Sequence, residues 1–236
     1  RERGKFDEAI DLLTVAISEV PENADLLASL SHCYILKNDV EKATQWLGKA
    51  KVADPHKASV GWNEARLDLK LQNFSQAVNV AQKTNKRFPE DVEGMSVLAN
   101  CLRANGQVEE SLLFSQKALS LSPNYAESLI NRALIYLIQN DKAAAHEDLE
   151  KAFHLKPHIT EIWDLLIGLN LEFKRFENAI SCLEKICEVD ANNANHYTNL
   201  AICHEKLGNL DATVENYQKA LKIKPDCANT HYNLAI

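Results

Sequence analysis

The residues of this 236-residue sequence that could do chemistry are six cysteines, eight histidines and a recurring set of asparagines. Cys33, Cys101 and Cys203 stand 68 and 102 residues apart, too far along an elongated array to bridge. Cys182 and Cys187, five apart on one helical stretch, point to different sides, and no Cys-x-x-Cys occurs. The cysteines therefore read as free thiols acting as small hydrophobes. That usage favours a reducing, cytoplasmic location. His154 and His158 are four apart, but Pro157 between them should end the helix that a shared ligand face requires. There is no Gly-x-Ser-x-Gly, no glycine-rich phosphate loop and no His-Glu-x-x-His. No catalytic residue, metal or cofactor is expected, and the segment reads as non-enzymatic.

The asparagines are more informative. Asn63, Asn131 and Asn199 are spaced by 68 residues, and Asn233 follows after 34. A carboxamide both donates and accepts, so it can pair bidentately with a peptide backbone. Regular spacing requires a regular carrier, and the prolines supply its period. Pro21, Pro55, Pro89, Pro123 and Pro157 recur every 34 residues, and Pro225 follows after 68 with Ala191 at the missing place. GKFDEAIDLLTVAISEVPEN at 4–23 returns as GNLDATVENYQKALKIKPDC at 208–227, six periods later. One array over 1–236 is expected. Residues 1–23 form the second helix of a truncated repeat. Complete repeats follow at 24–57, 58–91, 92–125, 126–159, 160–193 and 194–227, and 228–236 opens another. A chain that starts and stops within repeats reads as part of a longer protein.

Each period reads as a helical hairpin. Apolar residues at helical spacing, such as Leu27, Leu30 and Tyr34, build a first helix. A turn follows at the fifteenth position, held by Gly4, Asn38, Gln72, Gly106, Asn140, Lys174 and Gly208. Glycine and asparagine tolerate the backbone angles that end a helix. The second helix runs to the proline. Small residues recur where helices must cross closely, at Ser31, Ala65, Ala99, Ala133 and Ala201, and at Ala9, Ala43, Ala77, Ala145 and Ala179. Repeat 160–193 breaks the rule with Ile167 and Ile186, which predicts looser or differently angled packing there.

This pattern resembles the tetratricopeptide repeat (TPR) family over essentially the whole chain. It is carried by Trp163 and Tyr197 at the fourth position, Leu30, Leu98, Leu166 and Leu200 at the seventh, the small residues, and the prolines. The resemblance implies an all-α fold, a right-handed superhelix (α-solenoid) of antiparallel helix pairs with first helices lining a concave groove. Similar arrays occur in O-GlcNAc transferase and in bacterial TPR proteins. Carried onto this sequence, the groove positions give a polar zone of His32, Asn63, Arg66, Lys70, Asn100 and Arg103. An apolar zone follows, of Ile130, Leu134, Leu137, Ile138, Leu165 and Leu171. Asp25, Glu93, Glu127 and Glu161 would form an acidic rim. The asparagines resemble the backbone-holding ladder of O-GlcNAc transferase, broken here by Ser29, Val97 and Leu165. The carboxylate clamp of chaperone-adaptor TPRs is not matched, because its cationic places hold Ser96, Glu161 and Leu165.

The net charge is −7 with both signs dispersed, so no basic stripe exists to neutralise phosphates and nucleic acid is not expected. No apolar run is long enough to span a membrane. The expected function is a protein–protein interaction scaffold holding an extended or helical peptide of a protein partner. Its contacts would come from Asn63, Arg66, Lys70, Asn100, Arg103, Asn131, Leu134, Leu137, Leu165, Asn199 and Asn233. The alternatives are a substrate-recruiting arm of a larger glycosyltransferase or sulfotransferase, and self-association through exposed ends. For the latter, Phe6, Ile10, Leu13 and Ile17 are expected to be uncovered on the first helical segment.

Overall fold

The computed structural model describes residues 2–235. It is all helical, with no strand among the described residues. Two compact units divide the chain, Arg1–Ile138 and Gln139–Ile236. The N-terminal unit holds α1 (Glu2–Glu19), then the hairpins α2 (Ala24–Leu36) with α3 (Val40–Ala53), α4 (Ala58–Lys70) with α5 (Phe74–Arg87), and α6 (Val92–Ala104) with α7 (Val108–Leu121). It ends on α8 (Ala126–Ile138). The C-terminal unit holds α9 (Lys142–Leu155), α10 (Trp163–Glu172) with α11 (Phe176–Val189), α12 (Ala194–Lys206) with α13 (Leu210–Ile223), and α14 (Ala228–Ala235). First helices begin at Ala24, Ala58, Val92, Ala126, Ala194 and Ala228, each in the same 34-residue register.

The turn chemistry fixes each hairpin. Asn38, Gln72, Asn140 and Lys174 have φ near +60°, and Gly106 and Gly208 have φ of 81° and 76°. Gly4, expected in such a turn, lies inside α1 instead. At Asn38 the chain makes the two bonds of a Schellman motif: Asp39 N–H to the Tyr34 carbonyl and Asn38 N–H to that of Ile35. The same pair of bonds closes α4, α6, α10 and α12. The residue after the left-handed position then caps the next helix. The side chains of Asp39, Asp141 and Asn209 accept from the backbone N–H groups of Lys42, Ala144 and Ala212.

Close crossing follows from the small residues. Ala43, Ala50, Ala65, Ala77, Ala99, Ala118, Ala133, Ala145, Ala152 and Ala201 are all fully buried. The same contact can be closed from either helix of a hairpin. Ser31 Oγ donates to the Ala43 carbonyl at 2.8 Å, whereas Ser111 Oγ donates to the Ala99 carbonyl at 2.6 Å. Repeat 58–91 exchanges its bulk. Gly61 stands at the large position because a Cβ there would meet Thr84 Oγ1 at 2.3 Å, and Trp62 is buried beside it. The Trp62 ring lies against Gly94, where a Cβ would come within 2.1 Å of it. Its indole N–H donates to Asp91 Oδ2 at 2.7 Å, while Asp91 Oδ1 caps α6 through the Gly94 N–H.

Repeat 160–193 is irregular in a specific way. A 3₁₀ turn, Thr160–Ile162, replaces the first turn of its first helix and leaves α10 only 10 residues long. Ile167 and Ile186 are themselves buried. The expectation for α1 is corrected. Ile17 is buried, and Ile10 and Leu13 pack against the same cluster, which includes Leu27, Leu30 and Leu47. Phe6 is half-buried. The exposed apolar residues of α1 are Leu12 and Val15 instead, 67% and 62% accessible.

Candidate functional site

The expected contact residues all fall on first helices. In the N-terminal unit, Asn63, Arg66 and Lys70 lie on α4, Asn100 and Arg103 on α6, and Asn131, Leu134 and Leu137 on α8. In the C-terminal unit, Leu165 lies on α10, Asn199 on α12 and Asn233 on α14. The apolar zone read across Ile130 to Leu171 is therefore divided between the units, and each part is described in its own unit.

Two rungs of the asparagine ladder have partners inside the protein. Asn63 Nδ2 donates to the Ala28 carbonyl at 2.9 Å, and Asn131 Nδ2 donates to the Ser96 carbonyl at 3.0 Å. Both asparagines are buried. Each bond reaches back 35 residues, from one first helix to the first helix of the preceding repeat. These amides clamp neighbouring repeats together. Asn199 differs: it is half-buried and makes no side-chain hydrogen bond among the described residues. Asn233 is half-buried near the Tyr217 hydroxyl, which donates to Glu205 Oε2 at 3.3 Å.

The polar zone and the acidic rim, read separately in the sequence, meet in space. Arg66 Nη1 donates to Asn63 Oδ1 at 3.0 Å, and its Nη2 pairs with Glu93 Oε1 at 2.5 Å. Asp25 accepts from Ser59 Oγ at 2.7 Å and pairs with Lys57 at 3.0 Å. The Ser59 and Lys57 contacts lower the Asp25 pKa and keep it ionised. Burial, helped by the nearby Arg66 charge, pushes the pKa of His32 down to about 3, so its imidazole is neutral. Burial also raises the Tyr125 phenol, with Glu127, Glu93 and Asp91 adding to the effect.

Among the described residues, two cations of this face have no carboxylate partner. Lys70 is exposed and makes no ion pair among the described residues. Arg103 is half-buried, and its Nη2 donates to Asn100 Oδ1 at 2.7 Å. Its Nε is buried without a partner, and burial lowers its pKa. Arg103 occupies the register held by Ile35, Leu69 and Leu137 in neighbouring repeats. Beside it on α8, Ile130, Leu134 and Leu137 are half-buried and Ile138 is 58% accessible.

All six cysteines are thiols rather than halves of disulfides. Burial raises Cys101 to about 12 and Cys182 and Cys203 to about 11, which suppresses the thiolate at neutral pH. Among the described residues, no group of three His, Cys, Asp or Glu could hold a metal ion. No described helix is long and apolar enough to cross a membrane.

Sequence reasoning missed one polar network, in the C-terminal unit. His146 is fully buried, with Nε2 2.8 Å from Asn170 Oδ1 and Nδ1 3.0 Å from Arg175 Nη1. An arginine can only donate, so Nδ1 accepts and Nε2 carries the proton. Arg175 stands where Asp39, Asn73, Gln107, Asp141 and Asn209 begin other second helices. That departure was the available signal.

Four family models described as tetratricopeptide repeat match the chain, over residues 1–62, 63–126, 114–147 and 194–227. General transcription factor 3C polypeptide 3 of Homo sapiens is 24% identical over 157 residues, 66% of this chain and 18% of its own length. Anaphase-promoting complex subunit 7 of Dictyostelium discoideum is 24% identical over 211 residues, 89% of this chain and 36% of its own. The chain thus spans well under half of each of these curated relatives. The solved structure titled as a functional characterization of Pseudomonas aeruginosa pilF aligns with a TM-score of 0.67 at 17% identity. That alignment covers 98% of this chain and 99% of the other, and shows the shared fold.

Proposed function

The chain belongs to the tetratricopeptide repeat family, and we propose on that premise that it is a non-catalytic scaffold whose first-helix face holds a peptide segment of a partner protein. The TPR scaffold fits protein–protein interaction in general, and one of the relatives is named as a complex subunit. The observation that carries the finer reading lies on α4, α6 and α8. Among the described residues that face keeps two cations without carboxylates, Lys70 on α4 and Arg103 on α6, and the half-buried Leu134 and Leu137 follow on α8. Apolar surface flanked by donors offers both anchoring and orientation. In the C-terminal unit, Leu165 and the internally unpaired Asn199 are the corresponding contacts, with Asn233 beyond them. Asn63 and Asn131 serve by holding the spacing of the rows rather than by offering their clamped N–H to a ligand.

The test is a binding screen of immobilised 12-residue peptides against the wild type, Leu134→Asp on α8, and Val52→Asp on α3 as a control. Val52 is 88% accessible, so its substitution leaves the fold intact. Binding lost in Leu134→Asp and kept in Val52→Asp, with equal helicity, is the expected result. Binding by wild type that ignores Leu134→Asp sinks the reading.

A further inference from the structure

We infer that the first-helix face of the N-terminal unit selects a peptide bearing an internal acidic side chain next to apolar residues, with Arg103 as the group that reads the acid. The inference rests on the peptide-binding reading above and names its ligand chemistry.

The argument begins from where the positive charge on this face is already answered. Arg66 is paired with Glu93 and Lys57 with Asp25. Asn100 holds the guanidinium of Arg103 through one N–H and offers it no charge. A neutral amide orients the fork without cancelling it, so the remaining Nη donors keep their full attraction for an anion. The packing makes the placement unusual. Leu69 and Leu137 stand at the same register on either side, so Arg103 is a lone guanidinium in an otherwise apolar row. A half-buried charge without a counter-ion is unfavourable, and a carboxylate from a ligand relieves that cost on binding. Lys70, the other uncompensated cation, lies one repeat earlier, and Leu134 and Leu137 lie one repeat later. The order along the face is therefore cation, guanidinium, apolar.

We assign the acid to a side chain rather than a chain end, because the clamp that captures chain ends in chaperone-adaptor TPRs is unmatched here. Capture of a terminal carboxylate needs cations that this chain replaces with Ser96 and others. The occupant is accordingly an acidic–apolar stretch inside a protein, with an aspartate or glutamate close in sequence to leucine-like anchors. Arginine discriminates such a ligand by a forked bond that glutamine cannot supply.

The probe is a library of random dodecapeptides, acetylated and amidated so that no terminal charge remains. Peptides retained by the wild type are sequenced, and hits are remeasured as Glu→Gln or Asp→Asn versions. The protein variant is Arg103→Leu, which installs the residue that Leu69 and Leu137 place at this register and so preserves folding. Enrichment of an acid adjoining apolar residues is expected, on whichever side the direction of the bound peptide places it. The amide version of a hit should bind wild type about 10-fold or more weakly, and Arg103→Leu should bind both versions alike. Retained peptides without acidic enrichment, or hits whose acid matters equally to Arg103→Leu, overturn the assignment while leaving the peptide-binding reading intact. A wild type that retains no peptide overturns both. If only phosphorylated versions of hits bind tightly, the carboxylate assignment fails and Arg103 reads phosphate.

Discussion

Replacing Asn131 with aspartate distinguishes a clamp from a ligand-holding rung. In the structure Asn131 Nδ2 donates to the Ser96 carbonyl at 3.0 Å from a buried position. Aspartate keeps the shape but turns that donor into an oxygen facing an oxygen. The lost hydrogen bond costs about 1 kcal/mol, and a buried carboxylate with no cation adds about 2 kcal/mol more. A deficit of about 3 kcal/mol corresponds to a fall in Tm of roughly 6–12 °C for a chain of this size. The pH dependence carries the sign. Because burial favours the protonated acid, the folded-state pKa of the new carboxyl lies above its unfolded value. The variant should therefore match the wild type most closely near pH 4 and fall behind as pH rises toward 7. Asn63→Asp is the internal control. Arg66 Nη1 lies 3.0 Å from Asn63 Oδ1 and partly compensates the charge, so its cost should be roughly 1 kcal/mol. Thermal melts followed by circular dichroism at pH 4, 5.5 and 7 give all of these quantities. An Asn131→Asp variant as stable as wild type at pH 7 would refute the clamp and return Asn131 to the solvent-facing ladder.

Three further outcomes follow from the same geometry. Gly94→Ala forces a methyl into the Trp62 ring and should destabilise by about 2–3 kcal/mol despite alanine's helix preference, as read by urea denaturation. Lys174→Gly removes a left-handed lysine at φ 56° and should raise stability by about 0.5–1 kcal/mol; a lower Tm would contradict the turn assignment. His32 stays neutral in the folded chain down to about pH 3 but takes up a proton near its ordinary 6.5 when unfolded. The unfolded state thus binds more protons in that window, and stability is lost as pH falls through it. Between pH 6.5 and 4.5 the wild type should lose about 1–2 kcal/mol more than His32→Gln, allowing for partial solvent exposure of the ring.

The 34-residue period made the hairpins legible because proline and the left-handed turn residues act locally. Asn38, Gln72 and Lys174 needed no knowledge of their neighbours to be placed. The ladder was legible only as a register. Whether Asn131 faces a ligand or the Ser96 carbonyl depends on an adjacent helix, and spacing by 68 residues is identical in both cases. The Arg66–Glu93 pair was invisible for the same reason, since its members belong to different repeats and were assigned to different zones. The 3₁₀ turn at Thr160–Ile162 has only an indirect sequence signal in the bulky Ile167 and Ile186. For α1, the reading took the apolar stripe Ile10, Leu13 and Ile17 as uncovered. It overlooked that a second helix also packs forward, onto α2.

The three junctions between first helices in the N-terminal unit are tied by different forces. Amide-to-carbonyl bonds from Asn63 and Asn131 tie α2 to α4 and α6 to α8, and both are sheltered from solvent. Between them, α4 and α6 share a solvent-facing pair, Arg66 with a half-exposed Glu93 carboxylate, above the buried Trp62. Screening weakens that exposed pair and leaves the buried amides almost untouched. Ionic strength therefore acts on this surface as on a panel whose joints stay fixed while its outer latches loosen. Trp62, packed on Gly94 and bonded to Asp91, holds the pitch of α4 and α6 beneath that pair, so added salt frees the Arg66 guanidinium on the face and leaves the rows in place.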